Sequence, residues 1–330
     1  MRVLVIGLGS MGKRRIRNLR ALGLSEIIGF DPRADRRQDA SEKYSIQAFD
    51  TIDAALKASP QALVISTPPD KHMEYAYRAF ELGLPCFIEA SVVDAERILE
   101  LSRLNQDRGL VIAPSCTMRY FPGPAKVKEL IQKNVIGKPL AINYYTGQYL
   151  PDWHPWEPIA DYYVSHRETG GGREIVPFEL TWLNDIFGSG NALACYKNRM
   201  TAMDADIDDI YCCIVRYTSG PILNLTVDVI SRPTATRELR ILGESGQIVF
   251  SGDENCVRYI NTEMEDWDKI FLDVGSKEAN YINPEEPYIS EMKDFLLAVE
   301  TGNPDCFPNT LSDDYEVLQL LASLETKAVL

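Results

Sequence analysis

The first 31 residues constrain this chain more than any other stretch. Residues 2–6 (RVLVI) form a β-branched run that stops at glycine, and they read as a fully buried strand. Gly7-Leu8-Gly9-Ser10-Met11-Gly12 follows directly. Ile16, Leu19 and Leu22 then recur at helical spacing, and Gly23 is placed to cap that helix. Residues 26–30 (EIIGF) read as a second strand, and it ends on Asp31, 19 residues after Gly12. Strand, glycine turn, helix, strand and acid in that order make the βαβ unit that binds a dinucleotide. In such a unit Gly7 permits the tight turn, Gly9 lets a pyrophosphate approach the backbone, and Gly12 lets helix and strand pack closely. The helix N-terminus offers the phosphates its amides and the positive end of its dipole. An ordinary strand–helix turn also uses glycine; the flanking strand, helix and Asp31 separate the two readings.

Leu8, Ser10 and Met11 complete the loop expected to touch the cofactor. A carboxylate at Asp31 accepts hydrogen bonds from ribose hydroxyls and repels a 2′-phosphate, which favours NAD. Arg33, Arg36 and Arg37 follow at once. They either fold over an adenosine phosphate, which keeps NADP possible, or form a solvated helix face. Ligands of an open parallel sheet bind beyond the carboxyl ends of its strands. Ser66-Thr67-Pro68 ends the run 62–66 (ALVIS), and Glu89-Ala90 ends the run 86–89 (CFIE), so both are expected at the cofactor. His72 sits in the next turn, as a helix cap or as a cofactor contact.

Strand and helix signals continue to alternate, with helices expected near 51–58, 70–83, 92–106 and 123–134, and a further strand at 110–113. This predicts a Rossmann parallel sheet covered on both faces. Beyond about 120 the pattern changes to longer extended stretches at 138–149, 207–218, 221–230, 237–242, 246–251 and 255–260. Ser219-Gly220 and Ser245-Gly246 separate several of them as turns. Helices are expected near 174–187, 287–300 and 312–328. The expected fold class is therefore α/β. An N-terminal dinucleotide domain over 1–121 precedes an α+β domain over 122–330, built on a large open, mostly antiparallel sheet, with the last helices free to pack back on the first domain.

These residues resemble the glucose–fructose oxidoreductase / inositol dehydrogenase / MocA family. The resemblance covers nearly the whole chain: GLGSMG at 7–12, STPPDKH at 66–72, TMRYFPG at 117–123, IGKPL at 136–140, GQYLPDWHPWE at 147–157, TGGG at 169–172, VDVISRP at 227–233 and ILGESGQI at 241–248. It implies a nicotinamide cofactor, a hydroxylated sugar-like substrate, and a homodimer or homotetramer formed through the C-terminal sheet. Two departures matter. The family's Glu-Lys-Pro, whose lysine assists proton transfer, reads Glu89-Ala90-Ser91 here. Phe178 falls where the resemblance places the later histidine, and no aspartate lies one turn before it, although Glu174 is four residues earlier on the same helix face.

Removing a hydroxyl proton during hydride transfer needs a base, and neither Ala90 nor Phe178 supplies one. Tyr163, His166 and Glu174 are the candidates for that role. Arg119, Arg173, Trp153, His154 and Phe178 are candidate substrate contacts, with the aromatic loop suited to stacking on a sugar. Each has a plainer alternative: an exposed loop histidine, a tyrosine packed on the sheet, an ion pair at the helix start, a loop locking an interface. The run Asp204 to Asp209 lacks the glycine and glutamate of a calcium loop and is expected to be a solvated turn; no metal is expected.

Acidic residues number 48 against 34 basic, giving a net charge of −14. That field repels polyphosphate backbones and anionic membranes, so neither nucleic acid nor a membrane is an expected partner. Seven scattered cysteines without a C-x-x-C pair point to reduced thiols and a cytoplasmic protein, as does the absence of a long apolar leader. Three functions remain open: an NAD(P)-dependent dehydrogenase or reductase of a sugar, sugar nucleotide or sugar acid; a cofactor-binding partner or sensor without turnover; and a non-redox sugar lyase, epimerase or hydrolase that uses NAD transiently.

Overall fold

The computed structural model describes residues 1–279 and 281–329, the last by its backbone alone. Two compact units emerge, one from residues 1–117 and 285–315, the other from 118–284 and 316 onward.

The first unit runs β1 (Val3–Ile6), α1 (Ser10–Ala21), β2 (Ile27–Phe30), α2 (Ala34–Tyr44), β3 (Gln47–Phe49), α3 (Ile52–Lys57), β4 (Ala62–Ile65), α4 (His72–Leu82), β5 (Cys86–Ile88), α5 (Ala95–Asn105) and β6 (Ile112–Pro114). Its sheet has the order β3-β2-β1-β4-β5-β6 and is parallel throughout. Every residue of β1, β2 and β4 is buried, as a sheet covered on both faces requires. Strand order reverses between β1 and β4, so the ligand crevice of this fold lies at their carboxyl ends. β3 and α2 escape the sequence pattern because three strand residues and a highly charged helix leave almost no apolar periodicity.

The second unit contributes α6 (Pro122–Gln132), β7 (Pro139–Gly147), α7 (Gly172–Phe187), β8 (Gly190–Asn198), β9 (Ile210–Tyr217), β10 (Ile222–Asp228), β11 (Thr236–Gly243), β12 (Gly246–Ser251), β13 (Cys256–Asn261) and β14 (Asp268–Phe271). α8 (Glu286–Thr301) returns to the first unit, where Phe295 meets Phe87 edge-on with ring centroids 5.7 Å apart. α9 (Leu311–Thr326) and β15 (Ala328–Val329) close the chain, and the division between units falls within α9.

Among the described residues the second sheet has nine strands, ordered β14-β13-β12-β11-β7-β10-β9-β8-β15. It is not a simple meander. β7 lies between β10 and β11 and runs parallel to β10, and β15 runs parallel to β8. A parallel neighbour needs a long crossover, which α7 with β8 and β9 supplies. β8 lacks a strand signature because glycine, asparagine and alanine fill it and a bulge between Ala192 and Ala194 breaks its alternation.

α7 covers one face of this sheet. Its Trp182 ring meets Tyr144 of β7 edge-on at 5.6 Å. Fully buried Glu179 accepts from the Tyr144 hydroxyl at 2.6 Å and from Trp182 Nε1 at 2.8 Å, and pairs with Arg237 at 2.8 Å. The opposite face presents Tyr145, Ile214, Ile222 and Leu242 as exposed side chains. No helix is long and apolar enough to cross a membrane among the described residues.

The acidic run after Met203 departs from the expected solvated turn. Asp208 and Asp209 are buried. Asp208 is neutralised by Arg167 and by Lys197, the latter at 2.9 Å, while Asp209 accepts from the amides of Met200 and Thr201 at 2.7 and 2.8 Å. Partners outside the run, as far along the chain as Arg167, are invisible in the run itself, and they are what permit its burial.

Candidate cofactor and substrate sites

The glycine loop leaves β1 and enters α1. Gly7 has φ +88°, and a Cβ there would lie 2.5 Å from the Ser66 carbonyl oxygen. A Cβ on Gly12 would lie 1.8 Å from the Gly7 carbonyl oxygen. The fold itself demands both glycines. Gly9 differs, because a Cβ there would meet only the Arg36 guanidinium, at 3.3 Å. Its bare backbone faces a movable cation, which suits the approach of a pyrophosphate. Gly9 also N-caps α1 without a side chain, and first-turn amides such as those of Met11 and Gly12 have no acceptor within their helix. Loop and helix together fit a dinucleotide.

Asp31 ends β2 almost fully buried. Its Oδ2 accepts the Leu8 amide at 2.8 Å and its Oδ1 the Arg33 amide at 2.9 Å, which locks the carboxylate beside the loop. Of the three arginines, the structure brings Arg36 here, 3.9 Å from Asp31 Oδ2. The Arg33 side chain instead pairs with Asp35 in the open at 2.6 Å. Arg37 donates to the carbonyls of Asp31 and Pro32, each at 2.8 Å.

His72 begins α4 and is buried. Its Nε2 donates to the Thr67 carbonyl at 2.9 Å, which fixes the turn after Ser66-Thr67-Pro68, and burial pushes its pKa down. It holds the loop in place as a neutral ring. Glu89 is gripped by Arg15 in a two-pronged pair at 2.7 and 2.9 Å and accepts from Ser66 Oγ at 3.1 Å. Arg15 reaches on to Glu291 at 2.9 Å. Glu291 also accepts from Ser115 Oγ, the Cys116 amide and Thr117 Oγ1 at 2.9, 2.7 and 2.6 Å. Sequence reading missed this network, because Glu291 lies over two hundred residues from its partner Arg15. Ala90 follows Glu89 with no titratable group.

In the second unit a short 3-10 turn at Tyr163–Ser165 precedes the glycine triplet that opens α7. The Tyr163 hydroxyl donates to Glu174 Oε1 at 2.7 Å. Burial pushes the Glu174 carboxyl up to about 7, against the opposing hydrogen bond from Tyr163. Tyr162 packs edge-on to Tyr163, with centroids 6.1 Å apart, and its own hydroxyl pKa is raised by burial and then by Glu157 and Glu174. His154 is sandwiched between Trp156 and Tyr162 at 4.9 and 4.7 Å, with Nδ1 2.7 Å from Glu157 Oε1. Trp153 packs against the same cluster.

The remaining predicted residues fall elsewhere. His166 is exposed and its backbone bridges to Asp206. Arg173 binds both oxygens of Glu325 at 2.8 and 3.3 Å. Arg119 lies 3.5 Å from Asp185, which also takes Lys128 at 2.6 Å. Phe178 is half-buried, one turn beyond Glu174 and directly after Pro177, which stands inside the helix. Among the described residues no cluster of three or more His, Cys, Asp or Glu is arranged to hold a metal.

A parallel six-stranded sheet with a glycine loop at its switch point, and a separate open sheet carrying an aromatic and acidic cluster, define a dinucleotide-binding protein of the oxidoreductase type. Residues 1–114 match the family described as "Oxidoreductase family, NAD-binding Rossmann fold", and residues 125–249 match the "GFO/IDH/MocA C-terminal domain". The chain belongs to the Gfo/Idh/MocA oxidoreductase family, and its first unit is that family's NAD-binding domain.

A UDP-N-acetylglucosamine 3-dehydrogenase from Acidithiobacillus ferrooxidans is 33% identical over 124 residues, which are 37% of this chain and 39% of that relative. Oxidoreductase P35 from Formosa agariphila is 24% identical over 66% of this chain and 68% of its own. Among solved structures, a levoglucosan dehydrogenase in complex with NADH and levoglucosan superposes with a TM-score of 0.82 at 17% identity, over 99% of this chain and 96% of that one. An Agrobacterium radiobacter oxidoreductase in complex with NAD+, L-tartaric acid and magnesium gives 0.85 at 12% identity with the same coverage. At such identities these structures establish the fold.

Proposed function

We propose that this protein is an NAD-dependent dehydrogenase or reductase of a sugar-like substrate, in which Tyr163 and Glu174 replace the missing lysine and histidine as the acid–base pair. One observation carries the reading. A buried carboxyl poised near neutrality receives the hydroxyl proton of a tyrosine at 2.7 Å, which is the arrangement of a base acting through a relay. NAD, when bound, supplies or accepts the hydride. The Tyr163 oxygen accepts the substrate hydroxyl proton as its own proton moves to Glu174 Oε1; reduction runs the same transfers backwards. His166 is left out of the set, because it is exposed and the Tyr163–Glu174 pair closes without it. Arg173 acts through Glu325 to hold the start of α7.

A panel of sugars and sugar nucleotides tests the reading by absorbance at the nicotinamide band. Reduction of NAD by one of them supports it. Tight NAD binding with no turnover on any supports the second reading, a partner or sensor subunit, which Ala90 and Phe178 favour. Product without net cofactor reduction supports a non-redox enzyme.

The preference for NAD rests on Asp31. Asp31→Ala is expected to weaken NAD binding about 10- to 100-fold, the loss of a charged hydrogen-bonding partner, while NADP binding weakens less or improves. Calorimetric titration of both coenzymes checks this; equal losses would remove Asp31 from the selection.

The exposed sheet face supports assembly of two copies. Strand register places Leu242, Ala141, Ile222 and Arg216 on one rung, Arg240, Asn143, Asn224 and Ile214 on the next, and Glu238, Tyr145, Thr226, Cys212 and Tyr196 beyond. Exposed aliphatic and aromatic side chains interleaved with charged ones suit a contact between copies. A homodimer or homotetramer through this face predicts that Ile222→Glu with Ile214→Glu yields monomers in sedimentation equilibrium, with the NAD affinity unchanged. A wild-type monomer at micromolar concentration would contradict it.

A further inference from the structure

We infer that Cys195 and Cys213 form a site of reversible oxidation, and that the disulfide they make staples β8 to β9 in the second unit. The inference is independent of the dehydrogenase reading, because it concerns the sheet and uses neither NAD nor Glu174.

Strand register sets Cys195 of β8 directly opposite Cys213 of β9. Directly opposed residues of antiparallel strands have Cα atoms about 4.5–5.5 Å apart, within the span of about 4.4–6.8 Å that a disulfide bridges. The same rung runs on through Leu225 to Tyr144, whose ring meets Trp182, so both cysteines point to the face that α7 covers. Both are buried, both thiols are free, and their sulfurs lie 3.9 Å apart. Rotation of two short side chains is enough to bring them to a bond of about 2 Å. Cys212 is a built-in control. It adjoins Cys213 in the chain, but alternation turns it to the opposite face, where its sulfur accepts from Thr226 Oγ1 at 3.9 Å.

The two thiols are unequal. The hydrogen bond from Cys213, and then the Lys197 ammonium, hold Cys195 below the ordinary thiol pKa against burial. The same hydrogen bond and burial push Cys213 well up. Cys195 is therefore the attacking sulfur and Cys213 the resolving one. With a peroxide as oxidant, the Cys195 thiolate attacks one peroxide oxygen. An S–O bond forms, the O–O bond breaks, and the departing hydroxide takes up a proton to leave as water. The Cys213 sulfur then attacks the sulfenic sulfur of Cys195. The S–S bond forms, the S–O bond breaks, and the Cys213 proton leaves with the hydroxyl as a second water. Two electrons have passed from the sulfur pair to the peroxide. The bond closes a loop that contains Asp208, whose carbonyl accepts the Gly172 amide at the start of α7 at 3.0 Å. Two residues further along the same face, Lys197 stands opposite Tyr211, and the Tyr211 hydroxyl donates at 3.1 Å to Glu325, the partner of Arg173. Tying β8 to β9 thus fixes the strands on which α7 is seated.

The test takes the whole reduced protein through hydrogen peroxide and then dithiothreitol, with alkylation and peptide mapping at each stage. Peroxide is expected to link the peptides that carry Cys195 and Cys213, with loss of two hydrogens, in Cys212→Ser as in the parent. Dithiothreitol is expected to restore both thiols. The linked form is expected to melt about 5 °C higher or more, because a closed loop of this length restricts the unfolded chain. Its NAD affinity is expected to be unchanged, since the first unit binds the cofactor. Cys213→Ser is expected to leave Cys195 as a sulfenic acid that dimedone traps; if that variant does not fold, the map of the parent protein carries the test. The inference is overturned if peroxide leaves Cys195 and Cys213 unlinked in the native protein, or links them only after urea has unfolded it. It is equally overturned if Cys212 takes the bond in place of Cys213, or if the linked form melts no higher than the reduced one.

Discussion

Glu174→Gln is expected to lower the rate of substrate oxidation about 100-fold or more at pH 8 and to abolish its dependence on pH across neutrality. In the proposed role the ionised carboxylate is the proton acceptor. The rate therefore rises with pH through about 7, the value to which burial lifts this group, and levels above it. Reduction uses the protonated form and falls over the same window. Glutamine keeps the shape and the hydrogen bond from Tyr163 but takes no proton, and loss of a positioned general base costs about 10²–10⁴ in rate. Stability moves the other way. A carboxyl raised from 4.5 to about 7 on folding contributes stability that is complete below the lower value and lost as pH rises through the upper one. Above pH 7 the parent holds a poorly solvated anion that the variant lacks, so Glu174→Gln is expected to be more stable there by about 2–3 kcal/mol. A slower and more stable variant is the signature of a strained working group. A parallel loss of both, or an unaltered pH profile, would remove Glu174 from the acid–base role.

Arg15→Ala is expected to destabilise the first unit by about 3–5 kcal/mol, which lowers its melting temperature by about 10 °C. The guanidinium is wholly buried, paired with Glu89 and Glu291 and lying 4.5 Å above the Phe87 ring. Burial opposes its charge, but the two carboxylates outweigh that and raise its pKa. Burial likewise raises the pKa of Glu291, which Arg15 opposes. Without the cation both carboxyls lose their compensation, and protonation of Glu291, which burial already favours, becomes the way to neutralise it. The deficit of the variant is therefore expected to shrink as pH falls towards 5. A deficit independent of pH would mean that a cavity, rather than charge, is responsible. Because the Arg15 grip places Glu89 at the carboxyl end of β5, NAD affinity is expected to fall as well, and calorimetry at a temperature where the variant is folded separates the two effects.

Local pattern carried most of the first unit. Short β-branched runs, each followed by a turn and a helix, announce parallel strands because both faces are buried and every residue is apolar. The glycine loop was equally legible, since its chemistry depends on six consecutive backbone positions, Gly7 to Gly12. What the pattern hid was where polar side chains find their partners. Arg33 and Arg36 look alike in the chain, yet one lies in the open on Asp35 and the other over Gly9, because Arg33 is the extended N-cap residue outside α2 whereas Arg36 lies within its first turn. Tyr163, His166 and Glu174 were equal candidates by type; only their placement joined two and left the third exposed.

The sequence by itself determined the class of this protein: the alternation of strands and helices in its first part, the dinucleotide loop with Asp31, and Ala90 and Phe178 as residues that carry no titratable group. Those are local facts, set by residue type and by spacing along a few turns of chain. Tertiary structure decided which carboxyls are buried and with whom. It placed β7 beside β10, drove Glu291 onto Arg15, and enclosed Glu174 with a single donor. The physical reason is that a pKa and an ion pair depend on what surrounds a group in space, and contacts between distant segments exist only once the chain has closed on itself.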